Sequence, residues 1–271
     1  MNIGIFDSGV GGLIMTRALV KHLPQYDYVY VGDTKRVPYG NRSHNEVHQF
    51  LKEGVAYLFK KKDCKLVIVA CNTASARALR QIQKKYLPKY FPDRKVLGVI
   101  IPAAEETLKG KRIGILGTVA TVKSKTYLVE IQKLNPRAEV FQLAAPSLVT
   151  DIEKGDTKAM KESFRKYLAP LLEKKIDTLV LGCTHYPIGK TFVRKIARLG
   201  GQVGKKVHVI SQDEFIPKKT ADYLKRHPEI KSELSKNHTR HIYLTKETKT
   251  VDTLAKKWFG QNIKIETVKL G

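Results

Sequence analysis

The chain has 271 residues, 42% of them hydrophobic, and its 50 Lys and Arg against 25 Asp and Glu leave a formal net charge of +25. That length and apolar content exclude a disordered chain and allow one large domain or two medium ones, each with its own core; with no apolar run of about eighteen residues, no membrane-spanning helix and no membrane partner are expected. The charge favours anionic partners, from acidic small molecules to nucleic acid, but the lysines are spread along the whole length and no RNA-stacking motif accompanies the 8% of aromatic residues, so weak non-specific binding at low salt is expected rather than specific recognition.

Ile3-Gly4-Ile5-Phe6 reads as a strand that starts almost at Met1. No basic segment with an apolar stretch and cleavage site precedes it, so the expected compartment is the cytoplasm. Asp7-Ser8-Gly9-Val10-Gly11-Gly12 follows, then a helix over 15–22. A strand, a Gly-rich turn and a helix start can bind an anion. Glycines at 9, 11 and 12 miss the Gly-x-Gly-x-x-Gly spacing of a dinucleotide site, however, and the Asp7 carboxylate would repel phosphate. A second strand covers 28–31, and Pro38-Tyr39-Gly40 is loop chemistry. Ser43 with Glu46 forms a capping box that opens a helix to Lys61. Val67-Ile68-Val69-Ala70 is an unbroken apolar run, the pattern of a buried parallel strand. It ends on Cys71-Asn72-Thr73, and an alanine-rich helix follows.

A strand over 96–100 is expected to end at Pro102. Residues 111–117 form another strand, followed by the turn Gly117-Thr118 and a helix from about Ser124, which mirrors the layout of the N-terminus. Val140 to Leu143 is a strand, 146–155 a short helix and its stop, and 157–174 a long helix. The cysteine strand then recurs as Leu179-Val180-Leu181-Gly182, ending on Cys183-Thr184-His185. Strands over 207–211, 242–244 and 263–268 and helices over 214–226 and 250–259 complete the chain. The expected fold is α/β, with two similar parallel-sheet lobes. Residues 1–97 with 208–271 form the lobe carrying Cys71, and 98–207 the lobe carrying Cys183. Ligands of open α/β sheets bind at strand carboxyl ends, so the site is expected in the cleft where the two sets of ends face each other.

Three cysteines are too few for a disulfide framework, and without a paired CxxC no metal site is expected. Cys64 begins its strand and reads as structural. Cys71 and Cys183 each precede a helix N-terminus, whose partial positive charge favours thiolate. His185 is near Cys183 in sequence, and Asp7 ends a strand on the same face as Cys71. A single nucleophilic cysteine would leave the second unexplained, and a redox pair lacks its CxxC. Removal of a proton from one face of a carbon and return to the other needs two acid–base groups on opposite sides, which two similar lobes supply. Two inert buried thiols are the bland alternative, set against the small polar residues that follow each of them.

Six motifs occur in family order: Phe6-Asp7-Ser8-Gly9-Val10-Gly11-Gly12, Val37-Pro38-Tyr39-Gly40, Ala70-Cys71-Asn72-Thr73-Ala74, Gly117-Thr118, Ile152-Glu153-Lys154-Gly155 and Gly182-Cys183-Thr184-His185-Tyr186-Pro187. Together they resemble glutamate racemase, of the aspartate/glutamate racemase superfamily. The stretch Ile210-Ser211-Gln212-Asp213 departs from the Ile-Asp-Ser-like pattern of that family. The resemblance implies two-base racemisation of glutamate with no cofactor, supplying D-glutamate for peptidoglycan. It implies Cys71 and Cys183 as the bases, with Cys71 acting on D-glutamate and Cys183 on L-glutamate. Asp7 would assist Cys71, and Glu153 and His185 would assist Cys183. The amino and carboxylate groups would be held by Asp7, Ser8, Tyr39, Gly40, Asn72, Thr73, Thr118, Thr121, Thr184 and His185. A homodimer is implied as well. Cys183-Thr184-His185 favours glutamate, since aspartate racemases of the superfamily tend to Cys-Thr-Glu there. An aspartate or other amino-acid racemase, and a basic nucleic-acid-binding protein with an idle site, are the alternatives.

Overall fold

The structure, a computed structural model, describes residues 1–199, 206–261 and 263–271. The first sheet is fed by β1 (Asn2–Asp7), β2 (Tyr28–Gly32), β3 (Cys64–Val69) and β4 (Lys95–Gly98). Between these strands run α1 (Gly12–His22), α2 (His44–Lys61) and the helical stretch α3 (Asn72–Arg77), α4 (Leu79–Gln81), one π-helical turn (Ile82–Tyr86) and α5 (Leu87–Tyr90). The chain crosses through α6 (Ile100–Glu106) into β5 (Arg112–Gly117), α7 (Val119–Lys123), α8 (Thr126–Leu134), β6 (Glu139–Ala144), α9 (Leu148–Glu153), α10 (Thr157–Glu173), β7 (Thr178–Gly182), α11 (Lys190–Leu199) and β8 (His208–Ile210). It returns through α12 (Gln212–Arg226) and α13 (Pro228–Lys231) to β9 (Arg240–Leu244), α14 (Lys249–Phe259) and β10 (Ile265–Thr267).

All pairings are parallel. The first sheet runs β10-β9-β2-β1-β3-β4 and the second β6-β5-β7-β8. The most central strands carry the continuous apolar runs, because parallel sheets are covered on both faces. In β3 every residue is buried, with Val67 opposite Gly4 and Val69 opposite Phe6. Residues alternate between faces, so Ile3 and Ile5 enter one apolar cluster while Phe6 enters the other. The first cluster runs on through Val99, Ile100 and Ala103 of the crossover into Ile113, Ile115 and Leu181 of the second sheet. Each fully buried aliphatic side chain contributes about 1.5–3 kcal/mol, so the lobes are joined by core as well as by chain. Helix α2 lies very close to its sheet. A Cβ on Gly54 would stand 2.1 Å from Phe6 Cε2, so the backbone of α2 approaches β1 only because that residue has none. Its start is the expected capping box, with Ser43 Oγ accepting from the Glu46 N–H at 3.3 Å and Glu46 Oε2 from the Ser43 N–H at 2.9 Å. Among the described residues no helix is long and apolar enough to cross a membrane.

Three sequence expectations change. β8 pairs with β7, so residues 208–210 belong to the second sheet and the return to the first follows Ile210 rather than Val207. Residues 200–205, inside the second lobe as drawn, lie outside the described residues. The strand expected over 96–100 ends at Gly98, and Pro102 sits in the first turn of α6, where its missing N–H costs nothing. The helix expected from Ser124 is preceded by α7, which starts directly after Thr118.

Candidate active site

Four strand ends converge. β1 delivers Asp7 and Ser8, β3 delivers Cys71, β5 delivers Thr118 and β7 delivers Cys183. A cavity of about 210 Å³ lies between them, lined by Ser8, Tyr39, Gly40, Cys71, Asn72, Thr73, Thr118, Glu153, Cys183, Thr184 and His185. Asp7 and Thr121 are fully buried behind this wall. The volume is below the ~300–1,000 Å³ of pockets for drug-sized ligands, and suits a molecule of amino-acid size. Val37, of the Val37-Pro38-Tyr39-Gly40 motif, also lines it, as do Pro146, Val149 and Thr150, which were not among the expected site residues. A larger cavity of about 540 Å³ lies behind α3 and α6, and none of the expected site residues lines it.

Cys71 caps α3, its Sγ accepting from the Ala74 N–H at 3.4 Å, and lies 3.4 Å from Ser8 Oγ. Burial pushes its thiol up to about 12, with the Asp7 carboxylate adding to the effect. The cap and the Ser8 contact pull the other way, but desolvation wins. Asp7 Oδ2 accepts from the N–H groups of Gly12 at 3.0 Å and Gly9 at 3.3 Å. Its Oδ1 is buried and has no hydrogen-bond partner among the described residues. Burial raises the Asp7 carboxyl, against the lowering influence of His185 and of these backbone donors.

Cys183 has different company. His185 Nδ1 lies 3.8 Å from Cys183 Sγ and 3.4 Å from Thr184 Oγ1, and Nε2 lies 2.8 Å from Glu153 Oε1. Burial disfavours the charged ring, but the hydrogen bonds to Cys183 and Glu153 outweigh it and raise His185 to about 10. That direction favours the protonated ring, in which both nitrogens are donors, Nε2 toward Glu153 and Nδ1 toward Cys183 and Thr184. The Gly-rich turn of the first lobe makes room for it, since a Cβ on Gly11 would stand 2.5 Å from His185 Nδ1. Trp258 of α14 packs edge-on against the ring, centroids 5.4 Å apart at 88°.

The polar rim is crossed by contacts between the lobes. Thr73 Oγ1 lies 2.9 Å from Thr118 Oγ1, which lies 2.9 Å from Thr121 Oγ1. Thr121 therefore orients its neighbours from behind the wall. The Tyr127 hydroxyl donates to Asn72 Oδ1 at 2.7 Å, leaving Asn72 Nδ2 buried without a partner among the described residues. Tyr39 lines the cavity, but its hydroxyl donates to Asp33 Oδ2 at 2.5 Å, an oxygen that also accepts from Arg36 Nε at 2.6 Å. The Tyr39 hydroxyl is committed to this pair, and the ring alone faces the cavity. Asp33 follows β2 as Asp7 ends β1, so the strand-end rule that singled out Asp7 could have found it. Tyr127 and Trp258 carried no such signal. Among the described residues no group of three or more His, Cys, Asp or Glu could hold a metal ion.

Residues 3–210 match the Asp/Glu/hydantoin racemase family. The chain is 35% identical to a glutamate racemase of a Sulfurihydrogenibium species, over 100% of this chain and 98% of the relative. It is 37% identical to that of Listeria innocua, over 99% and 98%. A solved glutamate racemase isoform from Bacillus anthracis superposes with a TM-score of 0.86 at 33% identity, covering 99% of this chain and 97% of that one. The enzyme from Francisella tularensis in complex with D-glutamate gives 0.86 at 29%, with the same coverage. Sequence, fold and relatives agree, and the chain belongs to the Asp/Glu/hydantoin racemase family.

Proposed function

We propose that this chain interconverts L- and D-glutamate by proton transfer at Cα, without a cofactor, using Cys71 and Cys183 as the two bases. The observation that carries this reading is a pair of thiols at equivalent strand ends of two parallel sheets, facing one small cavity and differing in their partners. Burial beside Asp7 keeps Cys71 as a thiol, the proton donor. His185, held by Glu153 at 2.8 Å, stands 3.8 Å from Cys183 Sγ, close enough to exchange a proton with it, so Cys183 serves as the proton acceptor. That resting arrangement is ready for L-glutamate. The Cys183 thiolate removes the Cα proton, the electron pair stays on the substrate, and the Cys71 thiol returns a proton to the opposite face. Product leaves Cys183 as thiol and Cys71 as thiolate, the form that accepts D-glutamate.

The Cα–H is a weak acid, so the developing carbanion needs fixed donors in a water-poor site. Buried polar atoms left unpaired are costly, and two of them suit a zwitterion. Asp7 Oδ1 can accept from the ammonium, and Asn72 Nδ2 can donate to a carboxylate. Hydroxyls of Ser8, Thr73, Thr118 and Thr184 and the Gly40 backbone supply the other contacts, with Thr121 as support. The glutamate assignment rests on the relatives, two of them solved and one of those holding D-glutamate. With it come a role in supplying D-glutamate for peptidoglycan, a cytoplasmic location and a homodimer. As domains we assign 1–98 with 211–271 and, between them, 99–210. The test is proton NMR of L-glutamate in D₂O with purified protein and no added cofactor, with L-aspartate in parallel. Loss of the Cα–H signal and appearance of D-glutamate are expected. Exchange confined to aspartate would reassign the substrate, and exchange of neither would remove the reading.

A further inference from the structure

The charge of the protein is not spread evenly in its consequences. On the first lobe, Lys52 and Lys60 of α2 and Lys85 and Lys89 of the π-turn and α5 gather around one set of aromatic rings and His48, with Lys61 and Lys84 exposed beside them in the chain. Among the described residues none of these six makes an ion pair or a side-chain hydrogen bond. The acids of α2 are used elsewhere, Glu46 by Ser43 and Arg42, and Glu53 by Arg36. The continuity of the field is visible at His48, whose ring is held below its usual range by burial and then by the charges of His44, Lys52 and Lys85. Aromatic rings are threaded through it. Tyr86 stacks tilted against Tyr90 at 4.9 Å and meets Phe91 at 5.8 Å, and Phe91 packs on Phe59 at 5.0 Å. Lys52 lies 5.3 Å over the Tyr86 ring, Lys89 5.3 Å over Tyr90 and Lys60 5.8 Å over Phe91. Tyr90 is 53% exposed, with Pro88 and Lys89 exposed beside it.

Six like charges with no acid paired to any of them repel one another, and the repulsion is relieved by a partner that brings anions. We propose that this lysine and tyrosine face is a docking surface for an anionic phospholipid bilayer. A single strand of nucleic acid needs a groove and free ring faces on which to stack bases. Here each ring carries an ammonium over a face, and none of the six lysines lines either cavity. Lysines around an exposed tyrosine, on a helix side and a short helical turn, match the headgroup region of a membrane. The placement leaves the site free. Lys60 and Lys61 precede the start of β3 and Lys89 precedes the start of β4, so this face adjoins the sheet edge opposite the strand ends that carry Asp7 and Cys71.

Each lysine near an anionic bilayer adds about fivefold to partitioning, and the attraction fades within a Debye length of about 8 Å at physiological salt. The experiment is co-sedimentation of the full chain with vesicles of equal parts phosphatidylglycerol and phosphatidylcholine, and with phosphatidylcholine alone. Binding only to the anionic vesicles, reversed by high salt, is expected. The triple variant Lys84→Gln, Lys85→Gln, Lys89→Gln should partition on the order of a hundredfold less, with its racemisation rate unchanged. A charge-matched control, Lys158→Gln, Lys166→Gln, Lys174→Gln on the second lobe, should bind nearly as wild type. Equal loss in both triples would mean that net charge alone acts, and would overturn the proposal. So would absence of binding to anionic vesicles, whether or not a poly-dT oligonucleotide binds through the same lysines.

Discussion

Replacing Glu153 by Gln removes a charge from beside His185, the neighbour of the proposed base Cys183, while keeping a side chain that can still accept from His185. The Nε2–Oε1 contact is 2.8 Å, the ring is buried, and the Glu153 side chain is 40% exposed. A hydrogen bond to a charged group contributes about 1.5–3 kcal/mol, which solvent screening at so exposed a carboxylate reduces to about 1 kcal/mol. His185 is raised to about 10, burial opposing and the bonds to Cys183 and Glu153 favouring the charge. At 1.36 kcal/mol per tenfold, losing about 1 kcal/mol brings deprotonation of the imidazolium down by about 0.7 of a pH unit. The sign follows from a group raised in the folded state. Its contribution is complete below the unfolded histidine value of about 6.5, and is lost as pH rises through about 10. In the variant the alkaline limb of kcat/KM therefore falls at lower pH, while the rate at neutral pH, where the ring stays protonated, falls by no more than about fivefold, the equivalent of about 1 kcal/mol. Circular dichroism of L-glutamate turnover across neutral to strongly alkaline pH measures this. Thermal melts should show a destabilised variant at neutral pH and a gap that closes on the alkaline side. An unmoved alkaline limb would refute the role given to Glu153. A neutral-pH loss of about a thousandfold or more would do so too, because an effect above the ~4 kcal/mol it represents exceeds any orienting bond here.

Each single serine variant should lose racemisation by at least about a thousandfold, since a hydroxyl is a far weaker acid than a thiol. In D₂O, Cys183→Ser should still exchange the Cα–H of D-glutamate without inversion, and Cys71→Ser that of L-glutamate; exchange of the opposite enantiomers would reverse the assignment of faces. Tyr39→Phe should cost about 1.5–3 kcal/mol of stability, because its hydroxyl serves Asp33, and should change kcat less than tenfold. A large kcat loss without a Tm change would place that hydroxyl on the substrate instead. Gly54→Ala should lower stability by about 1–3 kcal/mol through overpacking against Phe6, read as a lower Tm; an unchanged Tm would mean that α2 moves off its sheet freely.

What the sequence made legible is what a strand writes locally. Val67 to Ala70 and Leu179 to Gly182 are apolar because both faces of a parallel sheet are covered, and each ends on polar residues because the next step leaves the sheet. Those signals placed Cys71, Cys183, Asp7 and Thr118 at strand ends before any coordinate did. Membership of a sheet is written less clearly. His208 to Ile210 is a short apolar strand whichever sheet it joins, and only its pairing with β7 assigned it to the second. Pro102 reads as a stop, yet it is equally at home in a first helical turn, where no N–H is needed. The contacts between lobes leave no local mark at all. Tyr127 lies 55 residues from the Asn72 it orients, and the Trp258 against His185 comes from the C-terminal helix. By strand-end grammar Cys71 and Cys183 are equivalent, and two equivalent bases would have no preferred resting form. The asymmetry comes from company, a buried carboxyl beside one thiol and a carboxylate-held imidazolium beside the other. In the two-base reading, matched positions let either thiol reach Cα, while the different partners give each thiol its own route for the proton, by way of His185 and Glu153 on one side and beside Asp7 on the other.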